Sequence, residues 1–547
     1  MSLRVKKPLN RLWPWFAAAL SGALLALCFA PWDQGWLCWT ALTPLVCAVW
    51  FGPKPARRVG LRAALLGYVA GIVFFTLTFH WLGSLAELFE NPWMRGIPAL
   101  LSLYLALFFA FWAWQLHRLI PDAGPAPFLR SRRNLLTAFL AASGWVAHEW
   151  IRGWLFSGFG WDGLGVALHR ELPMIQIVDV TGVLGLSFLI AFCNVMAVII
   201  VRRIVAELGP LFLKRVRWEF SITVSMVMLV FAYGVRSLLQ RSKPTGTPLR
   251  IAAIQPNIPQ QEKFDSSPEA EDRIFEKLGT LTGLAAAANP ELLIWPEAAT
   301  PRGVYADDVN YRFVMDQAAR GDFGLLIGTT DSDLELREDY NIAMLLTERG
   351  GEFQTYRKSH LVPFGEYMPL RHSFPLFAMV AGELVPSDFA AGTEFTVMQL
   401  QTPAVQFAAL ICFEDTLGDL TRKFVQGGAQ LLVNITNDGW FQKSAGSQQH
   451  LANAIFRAVE NRRPLVRGTN TGMTCSVNPT GHVDQWIPPF EQGFATRTIL
   501  VPKDAPLTFY TRHGDWIAWL CTAATTGALI VPWLRRRSGR HQETGLE

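Results

Sequence analysis

At 547 residues, 51% of them hydrophobic and only 17% charged, with a mean hydropathy of +0.22, the chain is too apolar for an ordinary soluble protein. Its net charge of +5 sits in short basic clusters beside apolar segments, with no basic stripe interleaved with aromatics, which argues against nucleic acid as a partner. A polytopic α-helical membrane domain carrying an α/β domain fits both facts.

A membrane-crossing helix needs roughly 17 to 25 mostly apolar residues, since it satisfies its backbone groups internally. About eight segments are expected to be transmembrane helices: 12–30, 36–51, 61–82, 97–117, 134–151, 180–201, 219–236 and 515–534. The second is short and contains Pro44. Aromatic residues such as Trp13, Trp32 and Trp36 suit an interfacial belt.

Basic residues recur between alternate segments. They are Arg4, Lys6, Lys7 and Arg11, then Lys54, Arg57, Arg58 and Arg62, then Arg118, Arg130, Arg132 and Arg133. Arg202, Arg203, Lys214, Arg215 and Arg217 follow, and Arg535, Arg536, Arg537 and Arg540 close the series. The short loops on the other side hold only Arg95, Arg152 and Arg170. This asymmetry predicts cytoplasmic termini and places residues 240–512 outside. The expected organisation is therefore seven transmembrane helices over 1–239, an extracytoplasmic domain over 240–512, and a last helix with a basic cytoplasmic tail over 513–547.

The external segment has an α/β rhythm. The runs 249–257, 291–297, 323–330, 405–415, 429–438 and 464–472 read as strands, and 267–288, 307–320 and 445–462 as helices. Chemistry-bearing residues gather at the strand ends, where open α/β folds bind ligands. "LLIWPEAA" carries Glu297, "YRKSHLVPFGEYMP" carries Lys358 and Glu366, and "LICFEDT" carries Cys412 and Glu414. A carboxylate base, a cation for an oxyanion and a thiol nucleophile are the three functions acyl transfer requires.

These motifs, "WPE", "RKSHLVPFGEY", "CFED" and "NITNDGWF" in that order, resemble the carbon–nitrogen hydrolase, or nitrilase, superfamily. With the apolar segments, "QPNIPQ" and "HLVPFGEYMP", the chain closely resembles the bacterial apolipoprotein N-acyltransferase family over nearly its whole length. The resemblance implies a nitrilase-like α-β-β-α sandwich on the periplasmic side of the inner membrane. It implies transfer of the sn-1 acyl chain of a membrane phospholipid, through a Cys412 thioester, to the N-terminal amine of diacylglyceryl-cysteine apolipoproteins, the final step of lipoprotein maturation. In that role Glu297 is the base, Lys358 the oxyanion cation and Cys412 the nucleophile, with Glu366 and Glu414 supporting. A thioester keeps much of the ester's transfer potential, so no cofactor and no metal are expected.

Phe413 and Phe264 stand where the family often shows Tyr and Trp, each keeping a ring and losing a donor. With Asn341 and Trp440 they are candidate substrate-binding residues. The apolar stretch 371–386, with Phe377 and Met379, is too short to span and is expected to dip into the lipid interface.

Other features have plainer readings. "HEWIR" (148–152) lacks the second histidine of a zinc motif, so His148, Glu149 and Arg152 are expected to make polar contacts at the end of a span. His360 or His450 paired with Cys412 is an alternative arrangement, and a Cys412–Cys475 disulfide another. Asn434, Asn437, Asp438 and Trp440 read as a structural turn or as direct substrate contacts, Arg457 and Glu460 as a local ion pair, and "GYVAG" (67–71) as a small-residue helix contact. A membrane-tethered amidase or nitrilase and a transporter or sensor whose external domain only binds ligand are the alternative functions; neither explains both the spans and the catalytic-looking triad.

Overall fold

The computed structural model describes residues 9–55, 57–120, 128–206, 212–241, 245–305, 307–347, 352–369, 388–503 and 505–543. The stretch 371–386, with Phe377 and Met379, lies outside them. The chain forms two compact units, one of residues 1–83, 92–237 and 515–547, the other of 84–91 and 238–514.

The first unit is helical. Among the described residues, four helices are long and apolar enough to cross a membrane: Val59–Thr78, Pro92–Leu119, Val183–Ala206 and Val216–Gln240. Leu9–Ala26, Ser131–Arg152 and Trp516–Glu543 are further long helices. The expected continuous span over 36–51 is instead a 3-10 turn, Gly35–Trp39, followed by a nine-residue helix, Thr43–Phe51, with proline in its first turn. Proline has no N–H to continue a preceding helix, so the chain restarts there. Asn194 serves the interrupted backbone, donating to the Cys38 carbonyl (2.8 Å) and accepting from the Leu42 N–H (2.9 Å). Such service is what allows irregular backbone away from water.

Small residues set the helix spacing. A Cβ on Gly67 would lie 2.3 Å from the Phe109 carbonyl oxygen, and one on Gly71 would lie 2.7 Å from the Ala106 Cα. The Val59–Thr78 and Ile97–Leu119 helices thus approach backbone to backbone at "GYVAG". In "HEWIR", Glu149 accepts from Trp145 Nε1 (2.8 Å) and the Leu164 N–H (2.9 Å), and Arg152 donates to the Trp161 carbonyl (3.1 Å). No three potential metal ligands cluster among the described residues.

The second unit is two facing six-stranded sheets. The first holds β1 (Thr247–Gln255), β2 (Leu292–Ile294), β3 (Gly324–Asp333), β4 (Glu338–Leu346), β5 (Phe353–Arg357) and β12 (Gly493–Val501), in the order β12-β1-β2-β3-β4-β5. The second holds β6 (Val397–Leu400), β7 (Val405–Ile411), β8 (Leu431–Thr436), β9 (Leu465–Thr469), β10 (Thr474–Val477) and β11 (Val483–Ile487), in the order β11-β10-β9-β8-β7-β6. Each has a parallel trio, β1-β2-β3 or β7-β8-β9, flanked by antiparallel strands. Parallel strands buried on both faces read as continuous apolar runs, as "LLVNIT" in β8 does, with all six residues buried.

Helices cover the outer faces, giving an α-β-β-α sandwich. Pro268–Ala286 starts on Ser267, whose hydroxyl accepts from the Ala270 N–H, with proline at its first position and Glu269 and Glu271 in its first turn. Its buried Ile274, Leu278, Leu281 and Ala285 join Leu293, Trp295 and Leu325 in one core. Gly446–Asn461 lies on the second sheet and is almost entirely buried. The inner faces meet closely, since a Cβ on Gly468 of β9 would sit 2.6 Å from the Ile294 side chain of β2.

The six expected strands match β1, β2, β3, β7, β8 and β9, and the three expected helices match Pro268–Ala286, Asp308–Ala318 and Gly446–Asn461. The sequence does not announce the antiparallel flanks, because a flanking strand such as "EDYNIAMLL" alternates poorly and begins with charge.

Candidate active site

Strand ends bring the site together. β2 runs into Trp295, Pro296 and Glu297, and β5 ends one residue before Lys358, whose N–H donates to the Asn341 carbonyl of β4 (2.8 Å). β7 ends one residue before Cys412. Cys412 adopts a left-handed backbone (φ 51°) at the start of a 3-10 turn, Cys412–Thr416. A non-glycine residue held there stores strain that only surrounding contacts maintain, a pattern common where a strand presents a nucleophile. Asn434 of β8 is one such contact, donating to the Cys412 carbonyl (3.0 Å).

Glu297 and Lys358 are nearly fully buried. The Lys358 ammonium lies 2.8 Å from Glu366 Oε1 and 3.6 Å from Glu297 Oε1. The Asn341 side-chain nitrogen donates to the same two oxygens, at 2.8 and 2.9 Å. Glu297 Oε2 accepts from the Asn437 N–H (2.9 Å), and Glu366 Oε2 from the Val362 N–H (2.8 Å). Desolvating an ammonium costs several kcal/mol, so it stays charged only where carboxylates outweigh that cost. Burial depresses the Lys358 pKa, but Glu366 and then Glu297 outweigh it and hold it well above the ordinary lysine value.

The Cys412 thiol is pushed well above its usual pKa, chiefly by burial and next by the charge of Glu297, with Lys358 pulling the other way. A resting neutral thiol under the influence of both a carboxylate and an ammonium is suited to losing its proton during attack, not before it.

Glu414 is a hub for donors from two loops. Its Oε1 accepts from Tyr356 Oη (2.7 Å), the Ser359 N–H (2.9 Å) and the His360 N–H (3.1 Å), and its Oε2 from the Ile411 N–H (2.9 Å). It ties the loop after Lys358 to the turn that carries Cys412. Burial raises its pKa, with Lys358 and these donors opposing.

The other candidate residues lie in separate places. Phe413 is buried against His360, their rings nearly parallel at 5.9 Å. Phe264, about half exposed, meets Trp440 (5.7 Å) and Phe89 (5.9 Å) in a three-ring cluster. Asn341 is a bridge between two carboxylates. Arg457 and Glu460 pair at 2.9 Å. Cys412 and Cys475 are both free, so the disulfide alternative is not realised, and burial pushes the Cys475 thiol up to about 12.

His450 does not pair with Cys412. Its two ring nitrogens face Asp415 and Asp438, an engagement the sequence reading missed. A charged residue inside an apolar strand, Arg467 in "PLVRGTN", was the available signal. Lys263 was missed too. Its ammonium donates to the Ala298 carbonyl (2.7 Å) and reaches that of Glu297 (3.4 Å), bracing the backbone behind the carboxylate, and burial lowers its pKa to about 8.

This sandwich is that of a carbon–nitrogen hydrolase domain, and residues 250–501 match the carbon–nitrogen hydrolase family model. Residues 21–196 match the apolipoprotein N-acyltransferase N-terminal domain. An apolipoprotein N-acyltransferase of Geobacter metallireducens is 36% identical over 537 residues, covering 96% of each chain. One from Methylococcus capsulatus is 31% identical over 544 residues, covering 96% of this chain and 98% of its own. The chain belongs to the apolipoprotein N-acyltransferase family. Among solved structures, Saccharomyces cerevisiae Nit3, of the nitrilase superfamily, is 16% identical and covers 48% of this chain and 93% of its own, with a TM-score of 0.37.

Proposed function

We propose that the protein moves the sn-1 acyl chain of a membrane phospholipid onto the N-terminal amine of diacylated apolipoproteins by a ping-pong route through Cys412. The observation that carries this reading is the Glu297–Lys358–Glu366–Asn341 cluster beside the strained cysteine turn. Glu297 takes the thiol proton as sulfur attacks the ester carbonyl, and Lys358 with a backbone N–H of the turn stabilises the tetrahedral oxygen. The intermediate collapses to a thioester, and the protonated Glu297 returns its proton to the departing lysophospholipid alkoxide. The free α-amine of the lipoprotein then attacks the thioester, Glu297 accepts an amine proton, and the sulfur leaves and is reprotonated. Family membership supports the donor and acceptor classes.

We also propose about eight spans in the bacterial inner membrane, cytoplasmic termini and a periplasmic catalytic domain over 240–512, on the basis of the distribution of Lys and Arg.

Steady-state kinetics with phospholipid and a diacylated lipopeptide test the route. Parallel double-reciprocal lines are expected, with activity lost in Glu297→Gln, Lys358→Met and Cys412→Ser. Intersecting lines, as for a ternary complex, would overturn the acyl-enzyme.

A further inference from the structure

Beneath the cysteine turn lies a cluster that the proposed chemistry does not use. Asp415, Asp438, His450 and Arg467 are all essentially without solvent exposure. They come from four elements: the turn after β7, the turn after β8, the Gly446–Asn461 helix and β9. His450 Nε2 lies 2.8 Å from Asp415 Oδ1, and His450 Nδ1 lies 3.0 Å from Asp438 Oδ1. Arg467 pairs with Asp415 Oδ2 and lies 3.6 Å from Asp438 Oδ2, while Ser447 donates to Asp438 Oδ2 (2.7 Å).

The geometry fixes the ionic state. A neutral imidazole has one N–H, so one nitrogen would aim a lone pair at a carboxylate oxygen about 3 Å away. With both nitrogens protonated, two cations and two carboxylates cancel; with one proton fewer, a net negative charge is sealed beneath the thiol. Arg467 Nη2 comes within 3.4 Å of His450 Nδ1, farther than the Asp438 oxygen, and each cation touches both carboxylates. Burial depresses His450, but Asp415 and then Asp438 outweigh burial and Arg467 and raise it to about 9.

The cluster reaches the nucleophile by two routes. Asp415 is three residues beyond Cys412 on the same turn. Thr436 donates to Asp438 Oδ1 (3.2 Å), and its hydroxyl is also within hydrogen-bonding reach of the Cys412 sulfur. Asp438 itself disfavours a thiolate at Cys412.

We propose that His450 is a positioning residue for acyl transfer: its imidazolium, clamped between Asp415 and Asp438, fixes the turn that presents Cys412 and cancels carboxylate charge that would oppose the developing thiolate. While sulfur holds its proton, the thiol donates to Thr436 and Thr436 donates to Asp438. When that proton passes to Glu297, the Thr436 proton stays on its oxygen but turns toward sulfur, and Asp438 keeps His450 and Ser447 as donors. The inference rests on the nucleophile assignment above.

The test compares wild type, His450→Asn, Asp438→Asn and the double variant, purified as full chains. Three readouts are taken: single-turnover formation of the Cys412 adduct with phospholipid, KM for phospholipid, and iodoacetamide alkylation of Cys412 against pH. His450→Asn is expected to slow acylation by at least about tenfold and move the alkylation profile to higher pH, with KM within about threefold. The groups facing Cys412 in that profile are Glu297, Lys358, Thr436 and Asp438; those facing His450 are Asp415, Asp438 and Arg467. The double variant restores neutrality and is expected to recover most of the acylation rate. A merely structural histidine predicts additive losses and an unmoved alkylation profile, and that outcome overturns the proposal. If His450→Asn does not fold, Thr436→Val breaks the link without touching the charges; slower alkylation in a folded protein supports the proposal and an unchanged rate defeats it. Absence of any Cys412 adduct in wild type would instead defeat the acyl-enzyme reading.

Discussion

Asn341 gives both protons of one amide nitrogen to two carboxylates, 2.9 Å to Glu297 and 2.8 Å to Glu366, the same two oxygens that Lys358 faces. An ammonium and an amide therefore share one pair of acceptors, and the proposed base is held from two sides. Asn341→Asp puts a third carboxylate into this ring. Acylation of Cys412 in a single turnover should fall on the order of a hundredfold or more, and Asn341→Ser, which keeps one donor, by about tenfold. Equal rates for Asp and Asn at this position would show that the bridge does not hold the base.

Gly328 on β3 bears on the same carboxylate. A Cβ there would sit 2.5 Å from the Glu297 Cα and 2.7 Å from the Pro296 carbonyl oxygen. Gly328→Ala must push the base-bearing turn aside, so kcat is expected to drop between about tenfold and a hundredfold. Overpacking should also cost about 1–3 kcal/mol, read as a lower Tm. An unchanged kcat would mean that β3 does not set the base.

Glu414 makes a different kind of prediction. As a carboxylate it accepts on both oxygens, from Tyr356, Ser359 and His360 on one side and from Ile411 on the other. Glutamine turns one acceptor into a donor facing N–H or O–H groups. Glu414→Gln is expected to cost about 2–4 kcal/mol in denaturant unfolding, against about 1 kcal/mol for Tyr356→Phe, which removes a single donor. If both variants unfold like wild type, Glu414 is not what joins the two loops.

Two buried groups give stability a pH dependence at opposite ends. His450 is raised from 6.5 to about 9, so its contribution is full below about 6.5 and is lost as pH rises through about 9. At 1.36 kcal/mol per unit, that is on the order of 3 kcal/mol. Asp438 is lowered from 3.8 to about 2, with His450 chiefly responsible against the opposing effect of burial. Its contribution is present above about 3.8 and is lost as pH falls toward about 2. The Tm of the catalytic unit should therefore decline between pH 6.5 and about 9.5, and His450→Asn should flatten that limb. A limb of the same slope in the variant would assign it to another group.

In the membrane unit, Gly67→Leu drives a side chain into the Phe109 backbone, 2.3 Å from where its Cβ must go. The yield of folded protein in detergent is expected to fall severely, while Leu at Gly83, whose Cβ would meet nothing within 4 Å, should be tolerated. Equal yields would remove the close helix contact from the account.

Much of this was legible in the sequence because the parallel strands are buried on both faces and announce themselves as apolar runs ending in chemistry. Glu297 follows "LLIWP" and Cys412 follows "FAALI", so each could be placed at a strand tip before any coordinates. Lys358 and Glu366 stood out through their loop. Asn341 was harder, since its strand begins with charge and its role depends on two residues distant in sequence. His450 entered only as an alternative partner for the thiol, since a histidine in a helix says nothing of which strands its ring will meet. Pro44 marked the break in the 36–51 segment; that Asn194 would serve the broken backbone depends on helix packing that no local pattern encodes.

The acyl-enzyme itself is open to direct weighing. Purified protein incubated with phospholipid alone, then measured by intact mass spectrometry, should gain one acyl chain on Cys412. The adduct should be labile to hydroxylamine and should vanish when a diacylated lipopeptide with a free α-amine is added. Acyl transfer to that lipopeptide by Cys412→Ser at the wild-type rate, or turnover without any adduct on Cys412, would contradict the account.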